Sequence, residues 1–182
     1  MNRKVVLFLL IVVLGFSFLL VTTSFAEEGH HHEHHKAVEQ TKQSEDFGIC
    51  PVMKGEASGT YSHEYDGKIY HFCCPSCIDA FKANPEKYVS KIKEFNFEAY
   101  QFGYSPERIE VKKGDIVRLL TSSRDVPHGI YIKNYDINAT VKKGDIKKIE
   151  FIADETGEFD ILCSVYCGKG HHGMKAVLVV EE

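Results

Sequence analysis

The residues from Cys163 to Met174 constrain this chain more than any other segment, because they place several strong metal donors within twelve positions. The segment reads Cys-Ser-Val-Tyr-Cys-Gly-Lys-Gly-His-His-Gly-Met, and its donors are two thiols, an imidazole and a thioether, at Cys163, Cys167, His171 and Met174. Thiolate and thioether sulfur suit copper, whereas calcium and magnesium prefer oxygen ligands. The segment is therefore expected to form a short loop whose side chains bind copper.

A further protein donor is expected from elsewhere in the chain, and His128 is the best candidate. It lies in the segment Arg-Asp-Val-Pro-His-Gly-Ile, where Pro127 and Gly129 indicate a loop. One Cys, two His and a Met would by themselves describe a mononuclear blue-copper site. Cys163 favours a different arrangement, since a second thiol lets two sulfurs bridge two metal ions that share one electron.

The spacing Cys-x3-Cys-x3-His-x2-Met after an earlier His resembles the CuA domain of cytochrome c oxidase subunit II and of nitrous oxide reductase. The resemblance covers residues 95–182 and implies a Greek-key cupredoxin β-sandwich. It also implies a binuclear copper pair bridged by the thiols of Cys163 and Cys167, with His128 and His171 binding one ion each. The thioether of Met174 and the main-chain carbonyl of Val165 are the implied weaker ligands. The alternative for the two thiols is a disulfide, which would leave the spacing of the other donors unexplained.

Independently of that resemblance, the second half of the chain carries the period-two pattern of half-buried strands. Apolar residues flank Glu110, Glu150 and Asp160 in short segments bounded by turns. This pattern predicts a mainly β fold, a β-sandwich. The hexapeptide Val-Lys-Lys-Gly-Asp-Ile occurs at 111–116 and again at 141–146. We interpret the two copies as similar turns that lead into strands, with Gly supplying the unusual backbone angle.

Residues 47–93 predict a second, smaller module ahead of the sandwich. Asp66 and Gly67 between two aromatic-rich runs indicate a β-hairpin. Pro75 indicates the start of a helix, which a later Asn-Pro pair ends. The runs Cys-Pro-Val-Met, Phe-Cys-Cys-Pro-Ser-Cys and Asn-Pro-Glu-Lys-Tyr resemble a YHS domain. The resemblance implies a small α+β module, a hairpin plus a helix, that binds metal.

The cysteines of this module are the expected metal ligands. So short a segment buries little apolar surface, and a metal or a disulfide would stabilise it. Cys74 and Cys77 flank the start of the predicted helix, where the helix dipole favours thiolate, and Cys50 is the expected third ligand. Cys73 is held in reserve, because alternation along a strand would point it away from Cys74. The thiolates suit Cu(I) or Zn(II), and a structural disulfide is the alternative.

Residues 1–26 predict export. Arg3 and Lys4 precede an apolar run over residues 5–21, and the small residues Ser24 and Ala26 are typical of a signal-peptidase site. The same run is long enough to span a bilayer if it is not cut, so an N-terminal membrane anchor is the alternative. Either outcome places the rest of the chain in the periplasm or on the outer face of the cytoplasmic membrane.

Residues 27–46 predict a polar linker that is disordered. A run of imidazoles in this linker is expected to bind copper or zinc weakly, with spacing too irregular to define one geometry. The alternative is a solvated tail. The residues concerned are His30, His31, His32, His34 and His35.

The chain carries 22 basic and 26 acidic residues, a formal net charge of -4, and so gives no indication of a nucleic-acid partner. No Ser-His-Asp set or phosphate-binding Gly loop stands out, and the expected chemistry is one-electron transfer by the metal rather than separate catalysis. Two functions fit this pattern. One is an electron carrier between a donor such as a cytochrome c and a terminal oxidase or reductase. The other is a copper-handling protein that stores copper or delivers it to an apo-cuproprotein.

Overall fold

The computed structural model describes residues 46–182. The predicted leader at 1–26 and the five histidines of the linker lie outside the described residues. Between Asp46 and Glu182, no helix combines the length and the apolar character needed to cross a bilayer.

The described part of the chain consists of a small module, which ends before the strand that begins at Ile92, followed by a larger β-sandwich. The small module contains β1 (Ser58–Tyr65), β2 (Lys68–Phe72), α1 (Pro75–Ala83) and α2 (Pro85–Val89). The sandwich contains β3 (Ile92–Tyr100), β4 (Gly103–Ser105), β5 (Arg108–Lys112), β6 (Ile116–Ser123), β7 (His128–Ile132), β8 (Ile137–Val141), β9 (Ile146–Ile152), β10 (Gly157–Leu162) and β11 (Lys175–Glu181), with 3-10 turns at Lys133–Tyr135 and His171–Gly173.

The predicted hairpin and helix of the small module are confirmed. Strands β1 and β2 pair antiparallel, and Asp66 and Gly67 between them both have positive φ, 50° and 70°, as a two-residue hairpin turn requires. Helix α1 begins at Pro75, whose missing N–H needs no partner in a first turn. Asn84 then ends it, and the side chain of Asn84 accepts the N–H of Lys87 to cap α2.

Phe81 on α1 is the centre of the small module and is fully buried. Its ring centroid lies 5.1 Å from that of Tyr70 and 5.2 Å from that of Phe72, both on β2. Tyr65 on β1 and Tyr88 on α2 add rings at 5.9 and 6.0 Å. One aromatic side chain therefore joins both strands and both helices, in a module whose apolar core is small.

The remaining strands form two sheets that pack on each other. The five-stranded sheet has the order β5-β11-β10-β7-β8, and the four-stranded sheet has the order β4-β3-β6-β9. Neighbouring strands are mostly not consecutive in the chain, so connections pass from one sheet to the other, as Greek-key topology requires. Strand β11 runs parallel to β5 and β3 runs parallel to β6, while the other pairs are antiparallel. The predicted mainly β sandwich is confirmed.

The strands show the expected alternation of buried and exposed residues, and both copies of the hexapeptide form turns between strands. On β5, Ile109 and Val111 are buried while Glu110 between them is exposed. Each hexapeptide runs from the end of one strand to the start of the next. The glycines of the two turns, Gly114 and Gly144, have φ of 83° and 88°, a conformation that disfavours side chains.

Glu150 on β9 is buried where the small module packs on the sandwich surface. Glu94, Arg118 and Glu150 lie side by side across β3, β6 and β9. The side chain of Glu150 is only 3% exposed, and it pairs with Arg118 at 3.0 Å. It also accepts the backbone N–H of Ile49 at 3.3 Å. The small module thus covers a charged row on this sheet, and a carboxylate that strand alternation places on the polar face is buried and paired.

Candidate metal centres

The predicted copper ligands meet at one end of the sandwich, where β10 lies between β7 and β11. Leu162, the last residue of β10, pairs with strands on both sides. Cys163 directly follows β10, Met174 directly precedes β11, and His128 is the first residue of β7. Three adjacent strands therefore deliver the donors to the same edge, and the loop from β10 to β11 supplies the rest.

The two thiols form a pair, and each thiol has its own histidine. The Sγ atoms of Cys163 and Cys167 lie 4.0 Å apart. The Nδ1 atom of His128 lies 3.9 Å from the Sγ of Cys163, and the Nδ1 atom of His171 lies 3.8 Å from the Sγ of Cys167. Two donors bound to one tetrahedral ion are roughly 3.4–3.8 Å apart, given bonds of about 2.1–2.3 Å. The observed separations lie at or slightly above the upper end of this range, so the donors need only a small contraction to coordinate a metal.

Two weaker donors complete the arrangement. The Sδ of Met174 lies 3.7 Å from the Sγ of Cys167, and the carbonyl oxygen of Val165 lies 3.0 Å from the Sγ of Cys163. His128, Cys163, Cys167 and Met174 are all buried. The structure thus brings together all six residues of the sequence-predicted copper site.

Burial affects the charge of the Cys167 thiol when no cation is present. Cys163 and Cys167 are 8% and 6% exposed. Burial, reinforced by the neighbouring Cys163 thiol, raises the pKa of Cys167 to about 11. The neutral thiol of Cys167 is therefore favoured at neutral pH, and a bound cation is needed to hold this group as a thiolate. Metal binding is expected to release protons.

The absence of a side chain at Gly129 lets the ligand loop approach β7. A Cβ atom at this position would overlap the backbone nitrogen of Ser164. The N–H of Gly129 donates to the Sγ of Cys163 at 3.3 Å, and the hydroxyl of Tyr104 donates to the carbonyl of Gly129 at 2.6 Å. The position of Cys163 is thus fixed by the main chain of the strand that begins at His128.

Asp125 is a residue of the site that sequence reasoning missed. Its Oδ1 lies 2.7 Å from the Nε2 of His128, and its Oδ2 accepts the N–H of Gln101 at 2.8 Å. Burial alone would raise the pKa of Asp125, but these hydrogen bonds lower it to about 2. The carboxylate holds a proton on Nε2 and leaves Nδ1 free to face the thiols. The signal in the sequence was the three-residue spacing from Asp125 to His128.

Replacing Asp125 with Ala is expected to weaken copper binding at the sandwich site by roughly 10–100-fold, because His128 loses the partner that fixes its tautomer and orientation. A competition titration against a chelator of known copper affinity measures the change. Asp145→Ala, which removes an exposed carboxylate from a turn, is the matched control and should leave the affinity unaltered. An Asp125→Ala chain that binds copper like the control would contradict this positioning role.

One side of the site reaches the surface. His171 is partly exposed, and the ring of Tyr166, itself 73% exposed, lies 5.8 Å from it. Phe102, which is 43% exposed, packs its ring against Gly170. By contrast, His128 is fully buried. His171 is therefore the more accessible of the two histidines.

The small module contains a second group of candidate donors, which we call the thiol cluster and which consists of Cys50, Cys73 and Cys77. Their sulfur atoms lie within 4.8 Å of one another. Cys73, held in reserve because strand alternation would point it away from Cys74, belongs to this group, and its Sγ lies 3.6 Å from that of Cys77. Strand β2 ends at Phe72, so Cys73 lies in a bend where strand alternation no longer applies.

Cys74, predicted as a ligand, lies at the edge of the thiol cluster. Its Sγ is 3.1 Å from the Sγ of Cys77 and 3.2 Å from the hydroxyl of Ser76. The hydrogen bond with Ser76, followed by that with Cys77, lowers the pKa of Cys74 to about 7. Burial raises the pKa of Cys77. The two thiols of the Cys-Pro-Ser-Cys run therefore differ in exposure and in proton affinity.

Comparison with known protein families finds two matches, which overlap at residues 76–91. Residues 76–180, more than half of the chain, match the cupredoxin-like domain family. Residues 52–91 match the YHS domain family.

Individual relatives match a little less than half of the chain. Cytochrome c oxidase subunit 2 of Thermus thermophilus is 37% identical over 84 residues, which cover 46% of this chain and 62% of that protein. Nitrous-oxide reductase of Ralstonia nicotianae is 35% identical over 82 residues, which cover 43% of this chain and 13% of that protein. The match thus spans less than two thirds of either relative. The solved periplasmic domain of subunit II of cytochrome oxidase from Bradyrhizobium japonicum is 18% identical, with a TM-score of 0.46 over 50% of this chain and 84% of that chain.

Proposed function

Because the chain belongs to the cupredoxin-like family, we propose that it is an exported copper protein that carries single electrons in a respiratory chain. Its paired thiols bind a binuclear copper centre of the CuA type. The donor is a protein such as a cytochrome c, and the acceptor is a terminal oxidase or reductase, in keeping with the relatives that match the sandwich. The apolar N-terminal run supports a location in the periplasm or on the outer face of the cytoplasmic membrane.

The observation that carries this proposal is the symmetry of the donors around the two sulfurs. Cys163 has His128 on its side, and Cys167 has His171 on its side, at nearly equal distances. A single thiol between two histidines would suit one ion. Two thiols 4.0 Å apart, each with its own imidazole, instead favour two ions that share both sulfurs.

The remaining donors extend the same symmetry. The carbonyl of Val165 lies beside Cys163, and the thioether of Met174 lies beside Cys167. When bound, a copper pair supplies a one-electron couple that both sulfur and imidazole ligands tolerate. The chain contributes a mostly buried set of donors at the ends of strands and on the loop between β10 and β11, and the partly exposed His171 gives a partner its shortest approach.

A second candidate function is copper handling, and the thiol cluster is the observation that favours it. Cys50 and Cys77 are 0% and 2% exposed, and with Cys73 they form a three-sulfur group suited to Cu(I) or Zn(II). In this function the small module and the linker histidines acquire copper, and the recipient is an apo-cuproprotein. The electron-carrier function is preferred, because a delivery site does not require two histidines and two thiols in matched pairs.

Metal analysis with electron paramagnetic resonance tests the proposal. The full chain carrying Cys77→Ser, which removes a sulfur from the thiol cluster, is loaded with copper and washed with a chelator to strip weak sites. We expect a copper pair at the sandwich and a mixed-valence spectrum in which one unpaired electron is shared by both nuclei. One ion with a simple blue-copper spectrum would reject the binuclear centre.

Kinetic measurements separate the two functions. An electron carrier should exchange electrons with a reduced cytochrome c in stopped-flow mixing and retain its copper throughout. A copper-handling protein should instead transfer copper to an apo-acceptor on mixing, with little electron exchange. Copper transfer without electron exchange would replace the first function with the second.

A further inference from the structure

Cys77 on α1 has two sulfur neighbours that compete for it. Its Sγ lies 3.1 Å from that of Cys74 and 3.6 Å from that of Cys73. We propose that Cys74 and Cys77 form a reversible disulfide that switches off metal binding by the thiol cluster, so that the small module holds metal only when this pair is reduced. This inference rests on the metal role given above to Cys50, Cys73 and Cys77.

Cys74 is placed to form the bond with a small movement. A disulfide has an S–S distance of about 2.05 Å, so the two Sγ atoms need to approach by about 1 Å. Cys74 is the N-cap residue of α1 in an extended conformation, with φ of -157°, and its side chain caps no N–H of the helix. Rotation of this side chain therefore breaks no helix cap, although it gives up the contact with Ser76.

The exposure of the two thiols sets the order of events. Cys74 is partly exposed, whereas Cys77 is 2% exposed. A disulfide oxidant from solution meets Cys74 first: its thiolate attacks one sulfur of the oxidant, and one thiol of the oxidant leaves. Cys77 then attacks the mixed disulfide and releases the second thiol. In balance, two protein thiols lose two electrons and two protons, and the oxidant disulfide is reduced to two thiols.

The consequence for the thiol cluster follows from its composition. A Cys74–Cys77 bond uses the Cys77 sulfur and leaves only Cys50 and Cys73 as thiolate donors. Because the group has only three thiolate donors, the loss of one sulfur removes a third of them and much of the binding. The reduced state alone offers the complete group.

The thiol pair of the sandwich provides an internal comparison. Cys163 and Cys167 are both buried, and their Sγ atoms are 4.0 Å apart, so a disulfide there needs an approach of about 2 Å. A mild oxidant should therefore modify the small module first. In an oxidising compartment, this order makes the small module the part of the chain that responds to redox conditions.

The test uses the full chain with Cys163→Ser and Cys167→Ser, so that tightly held Zn²⁺ is counted at the small module, with a chelator present to strip the linker histidines. Glutathione disulfide is added, the chain is desalted, zinc is measured, and disulfides are mapped by peptide mass spectrometry. We expect about one zinc per reduced chain, a fall of roughly tenfold on oxidation with a Cys74–Cys77 bridge, and recovery with dithiothreitol.

Two adjacent substitutions distinguish the switch from the ligands. In the same background, Cys74→Ser should keep its zinc through oxidation, whereas Cys73→Ser should lack zinc even when reduced. Zinc loss from Cys74→Ser equal to that of the parent would overturn the switch, as would zinc retained by a chain with a mapped Cys74–Cys77 bridge. A reduced parent without zinc would instead overturn the metal role of the thiol cluster.

Disulfide mapping on the unaltered chain tests the proposal even if the double variant misfolds. During a time course with glutathione disulfide, the Cys74–Cys77 bridge should appear before any bridge between Cys163 and Cys167. The reverse order, or a bridge that joins Cys77 to Cys50 or Cys73, would contradict the proposed pairing.

Discussion

Replacing Cys163 with Ser is expected to abolish the copper pair at the end of the sandwich. The Sγ of Cys163 is in contact with four other groups of the site, including the Sγ of Cys167 and the Nδ1 of His128. A serine hydroxyl is a poor bridging ligand for copper, so the copper content at this site should fall from a pair to about one ion or fewer. The mixed-valence spectrum should disappear completely.

Copper analysis and electron paramagnetic resonance on the Cys163→Ser chain measure this effect, in the Cys77→Ser background that removes copper from the small module. Ser164→Ala is the matched control, since it alters the next residue but removes only an exposed hydroxyl bonded to Asn138. Circular dichroism checks that both variants keep the β-sandwich. A folded Cys163→Ser chain that still holds a copper pair would show that the two thiols do not bridge.

Replacing Phe81 with Ala is expected to cost about 3–5 kcal/mol of unfolding free energy, because it leaves a cavity at the centre of the small module. Phe81 is fully buried, and its ring meets aromatic side chains from β1, β2 and α2. A module with so small a core has little stability to lose. We therefore expect the hairpin and α1 to unfold locally while the sandwich remains folded.

Hydrogen exchange resolved by peptide measures this effect, through the amides of β1 and β2 compared with those of β6 and β10. Ile69→Ala, a substitution on β2 at a side chain that is 66% exposed, is the control and should change the stability by about 0.5 kcal/mol or less. Equal protection in the Phe81→Ala and Ile69→Ala chains would contradict the central role of Phe81.

Much of the candidate copper site could be predicted because its donors are close in sequence. Cys163, Cys167, His171 and Met174 lie on one loop, so their spacing alone limits the chemistry that they support. His128 is distant, and only the companion motif between Cys163 and Met174 raised it above an ordinary loop histidine. The strands around the site were predictable for a similar reason, since period-two alternation is a local property of the chain.

The difference at Cys73 had a local origin. Alternation along β2 was continued one residue too far, although the strand ends at Phe72 and a bend follows. Strand ends depend on where hydrogen bonding to a partner stops, and single-sequence patterns locate that point poorly. Because the strand ends one residue earlier than expected, Cys73 rather than Cys74 belongs to the thiol cluster. Cys74 is therefore available for a separate role.

The sequence by itself determined the donor types, the short ligand loop, the hairpin and helix of the small module, and the sandwich class, because each depends on residues close together in the chain. Only the tertiary structure decided that Asp125 orients His128, that Gly129 admits the ligand loop, and that Glu150 is buried under the small module. The physical reason is that burial and hydrogen-bond partners are fixed by packing between strands and modules far apart in sequence. The local sequence pattern indicates which side chains can bind metal or form hydrogen bonds, and tertiary packing decides which of them come into contact.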